Sequence, residues 1–252
     1  MKKLFFTLFV MLPFMAVTSS AQILFDRGDV NGDGNADISD VVTLVSIILN
    51  GGDAHLTCPD NHHPHMIDLG LPSGTKWACC NVGADKPEAY GGYYAWGETE
   101  VKTTYNWNTY NHYDGSSNTC HNIGRDIAGT QYDVAHVKWG GSWVMPSREQ
   151  IEELVNNCTH EWTTVNGVNG RKFTSKINGG SIFLPAAGER GNSELYNAGG
   201  YGDYWSSTLY ESYPGESDPR GAVDLYFYSG RVYWDRSCSS SRCVGHSVRP
   251  VR

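Results

Sequence analysis

Apolar and polar residues alternate with a period of two over 173–184 and again from Val223 toward the last residue, Arg252. That period puts successive side chains on opposite sides of a pleated strand. Each of these stretches is interrupted by a turn signal, Asn178-Gly179-Gly180 in the first and Ser229-Gly230 in the second, so each predicts a hairpin. The period changes once, clearly, after Pro146: Ile151, Leu154, Val155 and Cys158 fall at i, i+3, i+4 and i+7. Ser147 and Gln150, three residues apart, make a capping box, so a helix is predicted from Ser147. A weaker helical pattern covers 132–138, and a short one covers 41–49. Short strands without alternating long helices indicate an α+β fold rather than a βαβ one.

Before these patterns stands a different kind of run. Lys2 and Lys3 precede an uncharged apolar stretch over 4–17, and Ser19-Ser20-Ala21 supplies small residues for cleavage before Gln22. This predicts a signal peptide over 1–21 and a secreted protein, whether extracellular, periplasmic or surface-held. The run is short for a membrane span, and no later segment is longer and as apolar, so no span is expected. Losing Lys2 and Lys3 leaves 17 basic against 27 acidic residues, and the formal charge moves from −8 to −10. An acidic chain without a basic face excludes nucleic acid as a natural partner. Export permits disulfides. The seven cysteines (58, 79, 80, 120, 158, 238 and 243) are odd in number, so at least one is left over or pairs between chains.

Residues 22–52 contain one dense set of oxygen donors. Asp29, Asn31, Asp33, Asn35, Asp37 and Asp40 occupy positions 1, 3, 5, 7, 9 and 12 of a twelve-residue loop, with Gly34 at the bend. Calcium takes six to eight oxygens, and alternate residues of such a loop turn theirs inward. A calcium ion is therefore the expected cofactor. Aspartate at position 12 and a single following helix resemble one dockerin repeat. The resemblance implies a cohesin-like or other surface-protein partner. The positions a dockerin uses to read that partner are Ile38 and Ser39 here, instead of a Ser-Thr pair, and only one repeat is present. The segment 53–65 is polar and holds His55, His62, His63 and His65. Their spacing matches no helix face or zinc knuckle, so they read as linker.

From Met66 onward six motifs occur in order: 67–77 (IDLGLPSGTKW), Asn81-Val82-Gly83-Ala84, 93–98 (YYAWGE), 139–147 (WGGSWVMPS), 183–188 with 204–207 (FLPAAG, YWSS), and 247–252 (SVRPVR). In this arrangement residues 66–252 resemble the Fibrobacter succinogenes major paralogous domain family. The resemblance implies a C-type-lectin-like fold, with two helices beside small antiparallel sheets and with terminal strands near each other. Tryptophans 96, 139, 143 and 205 adjoin Gly or Ser, and Trp77 follows the Ser73-Gly74 turn by three residues, which suits large rings packed against close backbones in a core. The same broad fold includes formylglycine-generating enzymes, but Cys238 and Cys243 lack the context of that family's cysteine pair. No nucleophile motif or phosphate loop is present, and no two carboxylates are placed together by sequence. No catalytic residue is assigned, and the chain is expected not to be an enzyme.

The second hairpin carries the functional expectation. Val223, Leu225, Phe227, Val232 and Trp234 form an apolar face; Asp224, Tyr226, Tyr228, Arg231, Tyr233 and Asp235 form the other. Arg236, Ser237, Cys238 and Arg242 extend the second face into a Ser-, Arg- and Cys-rich loop. Tyrosine gives rigid contact area at low entropic cost, and small polar residues adapt to a ligand. The expectation is a ligand-binding face for a protein or glycan. Alternatives are a surface-assembly component docked through the dockerin-like repeat, or an accessory carbohydrate-binding protein in polysaccharide breakdown. Some C-type-lectin-like proteins are the variable products of diversity-generating retroelements. Residues 217–246 contain, apart from Trp234, none of the five residues (Lys, Glu, Gln, Met, Trp) that adenine randomisation of AAY codons cannot produce.

Overall fold

The alternating stretches pair into antiparallel ladders in a computed structural model that describes residues 65–115, 120–213, 216–234 and 240–252, with Ile38 and Val41 as isolated positions. The predicted signal peptide, the predicted calcium-loop residues Asp29, Asn31, Asp33, Asn35, Asp37 and Asp40, and nearly all of the predicted linker lie outside the described residues. Among the described residues the fold is mixed α+β, mostly β: two short helices and several small antiparallel sheets. None of the described helices is long and apolar enough to cross a membrane.

Strand β1 (Met66–Asp68) pairs with β2 (Lys76–Ala78). Helices α1 (Val134–Trp139) and α2 (Arg148–Asn157) follow. Strands β3 (Cys158–Val165), β4 (Val168–Ser175) and β5 (Ser181–Pro185) form one meander, and β6 (Glu189–Gly191) with β7 (Glu194–Tyr196) a small hairpin. The longest ladder joins β8 (Tyr201–Tyr213) to β9 (Glu216–Tyr228), and β9 also pairs with β10 (Val232–Tyr233) and β11 (Ser240–Ser241).

The helix expected at Ser147 is present with both capping bonds. Ser147 Oγ accepts from the Gln150 amide, and the Ser147 amide donates to Gln150 Oε1 at 2.9 Å. Ile151, Leu154 and Val155 form its buried stripe, against Phe173, Leu225 and Phe227. Burying each such side chain contributes about 1.5–3 kcal/mol. Cys158, the fourth member of the stripe, is the helix C-cap and the first residue of β3. It stays buried in the same cluster while the backbone turns extended, so helical spacing alone misplaced the helix end by a residue. At the predicted Asn178–Gly180 turn Gly179 has φ +78°, and Asn178 Oδ1 accepts from the Gly180 amide at 2.9 Å.

Trp77, Trp96 and Trp205 are fully buried. The Trp96 indole donates to the Ser206 carbonyl at 2.9 Å and the Trp205 indole to the Tyr94 carbonyl at 2.7 Å. The two ends of the large domain are joined directly: Lys76 and Arg252 exchange both backbone bonds at 2.9 Å. Arg249 is buried and donates to Asn81 Oδ1 and to the carbonyls of Ala78, Cys79 and Phe183 at 2.9–3.0 Å. A buried charge is tolerated when its donors are met in this way. The final SVRPVR motif thus acts as a clasp on the first strands.

Candidate functional site

The face anticipated on the second hairpin is built from three strands, and one of them was not anticipated. Register sets Tyr201 opposite Tyr228, Asp203 opposite Tyr226 and Trp205 opposite Asp224 between β8 and β9. Tyr233 of β10 lies opposite Tyr226. Residues directly opposite share a sheet face, so Tyr201, Tyr226, Tyr228 and Tyr233 converge. Tyr201 stacks on Tyr226 with ring centroids 5.6 Å apart, and Tyr226 and Tyr233 are 5.8 Å apart. Tyr228 lies 5.9 Å from Tyr201 and 6.4 Å from Tyr233. The reverse face is core: Val223, Leu225 and Phe227 are buried, and Val232 and Trp234 pack partly buried against the same cluster.

The four rings form a platform on one end of the sheet. Tyr201 is exposed, Tyr226, Tyr228 and Tyr233 are half-buried, and Arg231 is exposed beside them. The hydrogen bond from Tyr228, and then the Arg231 guanidinium, lower the Tyr233 phenol below its ordinary range; the same bond raises that of Tyr228. Beneath the hairpin tip, buried Arg171 of β4 donates to the carbonyls of Tyr228 and Ser229 and meets His160 Nδ1 at 3.1 Å. Burial lowers the affinity of Arg171 for its proton. Its position is therefore set by these bonds and not by solvent.

Toward the other end the same face is covered. Asp224, expected on the exposed surface, is 3% exposed. Strand β11 pairs with β9 two residues away, and Ser240 Oγ donates to Asp224 Oδ2 at 2.9 Å. Arg242, also expected at the surface, is 2% exposed; its guanidinium lies 4.7 Å from the Trp96 ring centroid and its Nε donates to the Tyr110 hydroxyl at 2.8 Å. Cys243 is buried in the cluster with Tyr93, Tyr105 and Tyr110, and burial pushes its thiol up to about 11. Asp235, Arg236, Ser237 and Cys238 lie outside the described residues. Comparison with protein-family models, with curated proteins and with solved structures finds no match for this chain.

Two residues central to this region escaped sequence reasoning. Tyr201 belongs to the alternation Tyr201, Asp203, Trp205, a strand signal that begins before the 204–207 motif and to which no role was assigned. Arg171 sits in β4, two residues before the stretch predicted as a hairpin, and no local signal points its side chain at a turn 58 residues away. A third feature lies where exposed platform gives way to core. Asp203, Asp224 and His246 each bring one ligand-type atom within 4.8 Å of the others, and all three are buried. His246 stacks on Trp205 with centroids 4.1 Å apart.

Proposed function

We propose that this chain is a secreted, non-enzymatic ligand-binding protein of C-type-lectin-like type. Its binding surface is the tyrosine platform of Tyr201, Tyr226, Tyr228 and Tyr233 with Arg231 at its edge. The observation that carries this reading is the clustering of four tyrosine rings on the uncovered end of a sheet whose other side is core. Aromatic rings held by strands lose little entropy on binding, and Tyr and Arg dominate the energetic centres of interfaces. The calcium-type loop at 29–40 serves in this reading as a separate attachment module, supported by its donor spacing. Template-copied variation, on the same reading, is confined among the described residues assigned to the face to Tyr226, Tyr228, Arg231 and Tyr233, because random residues at Asp224 or Arg242 would be buried.

The test is a protein and glycan array probed with the mature chain, with and without calcium, beside a Tyr226→Ala/Tyr233→Ala variant. A ligand retained by the parent and weakened at least about thirtyfold in the variant is expected, the loss of one interface centre of about 2 kcal/mol or more. Ligands bound equally by both would remove the platform from the reading.

A further inference from the structure

We infer that Asp203, Asp224 and His246 form a binding site for a divalent transition-metal ion of the zinc class, buried beside the tyrosine platform. The three residues come from three segments: β8, β9 and the extended stretch that pairs with β8 through Ser247. Asp203 and Asp224 fall on the same sheet face, in adjacent cross-strand pairs. An oxygen from each and a ring nitrogen of His246 lie within 4.8 Å of one another, at side chains only 5%, 3% and 0% exposed.

The histidine supplies the independent sign of a metal. Its Nε2 lies 3.2 Å from Glu189 Oε2, and its Nδ1 is buried without a hydrogen-bond partner among the described residues. When Nε2–H donates to Glu189, the neutral ring keeps a lone pair on Nδ1, which no donor among the described residues meets. Metal-binding histidines characteristically give their second nitrogen to a carboxylate, which fixes tautomer and ring orientation. Stacking on Trp205 holds the ring further, and Ser240 orients the Asp224 carboxylate. In this site Nδ1 is the nitrogen ligand and Glu189 its orienting partner.

The donor set selects the ion. Zinc bonds of about 2.0–2.2 Å place tetrahedral ligand atoms roughly 3.3 Å apart, inside the 4.8 Å span that encloses the three ligand atoms here. Calcium requires six to eight oxygens, so the site is distinct in kind from the loop at 29–40. A bound ion would join β8, β9 and the final segment at the edge of the platform, and so brace the sheet that carries the four tyrosines.

The full chain, stripped by chelator, is titrated with zinc chloride by equilibrium dialysis and metal analysis. Asp224→Asn and His246→Gln are run in parallel, with His62→Ser/His63→Ser as a control for the linker histidines. The parent and the linker variant should share one zinc equivalent, with a rise in Tm on zinc addition. Asp224→Asn and His246→Gln should bind that equivalent at least about tenfold more weakly. Equal uptake by the parent and Asp224→Asn, or loss of the equivalent in the linker variant, would overturn the assignment. Should either site variant fail to fold by circular dichroism, cobalt(II) bound to the parent decides: visible d–d bands without a thiolate charge-transfer band support the site. Absence of those bands, or a thiolate band, refutes it.

Discussion

The guanidinium of Arg171 is bound to the carbonyl of Ser229 at 3.1 Å, across 58 residues of chain. With its second contact to the Tyr228 carbonyl, this bond fixes the tip of the β9–β10 hairpin to the β3–β4–β5 meander. The platform tyrosines Tyr228 and Tyr233 flank that tip, so a buried charge on one sheet positions half-buried rings of another.

Arg171→Met is therefore expected to loosen the tip without unfolding the core. Charge-assisted hydrogen bonds contribute about 1.5–3 kcal/mol each, and methionine preserves much of the volume. A stability loss of about 2 kcal/mol in urea unfolding is expected, with faster amide exchange at Ser229–Arg231. Unchanged exchange there would mean that the hairpin holds itself.

Gly202 lies opposite Phe227 in the β8–β9 ladder, and a Cβ at position 202 would fall on the Phe227 ring. Phe227 is fully buried against Phe173 and stacks with Tyr204, so it has little room to move. Gly202→Ala should cost about 1–3 kcal/mol through overpacking. Thermal unfolding measures it, and a neutral result would show the ring displaced without penalty.

His112 is a pH sensor of stability. Burial is the main cause that lowers its affinity for a proton below the ordinary 6.5, with Arg242 acting in the same direction. Its Nε2 lies 3.0 Å from the Gly97 carbonyl, as donor in the neutral ring. Because the folded state binds that proton less readily than the unfolded chain, the unfolded state holds more protons as pH falls below about 6.5. The contribution of His112 is present above that value and lost as pH drops through the depressed folded value. Tm should decline between pH 7.5 and 5, less steeply in His112→Gln; parallel profiles for the two proteins would contradict this.

The calcium loop is expected to be energetically separate from the large domain. Asp29→Ala with Asp33→Ala removes two of the inward-facing carboxylates, and titration calorimetry should show the loss of one calcium equivalent. The main unfolding transition should stay within about 0.5 kcal/mol of the parent, as for substitutions remote from a core. Calcium uptake equal to the parent would exclude the loop as its site.

Local patterns determined the helix at Ser147, its capping box, the Asn178–Gly180 and Ser229–Gly230 turns, and the apolar face Val223, Leu225 and Phe227. These depend on spacing within one element, where period and capping chemistry act over a few residues. Tertiary structure decided which part of the opposite face meets solvent. A period of two places Asp224, Tyr226 and Tyr228 on one side, yet it carries no information about what lies over that side. Strand β11 and the stretch ending in His246 cover Asp224, and Trp96 covers Arg242, through contacts more than a dozen residues apart. Tyr201 joined the platform by cross-strand register, and Arg171 reached the hairpin tip from another sheet. Covering and register arise from the packing of distant segments, so alternation alone could assign a face but not its exposure.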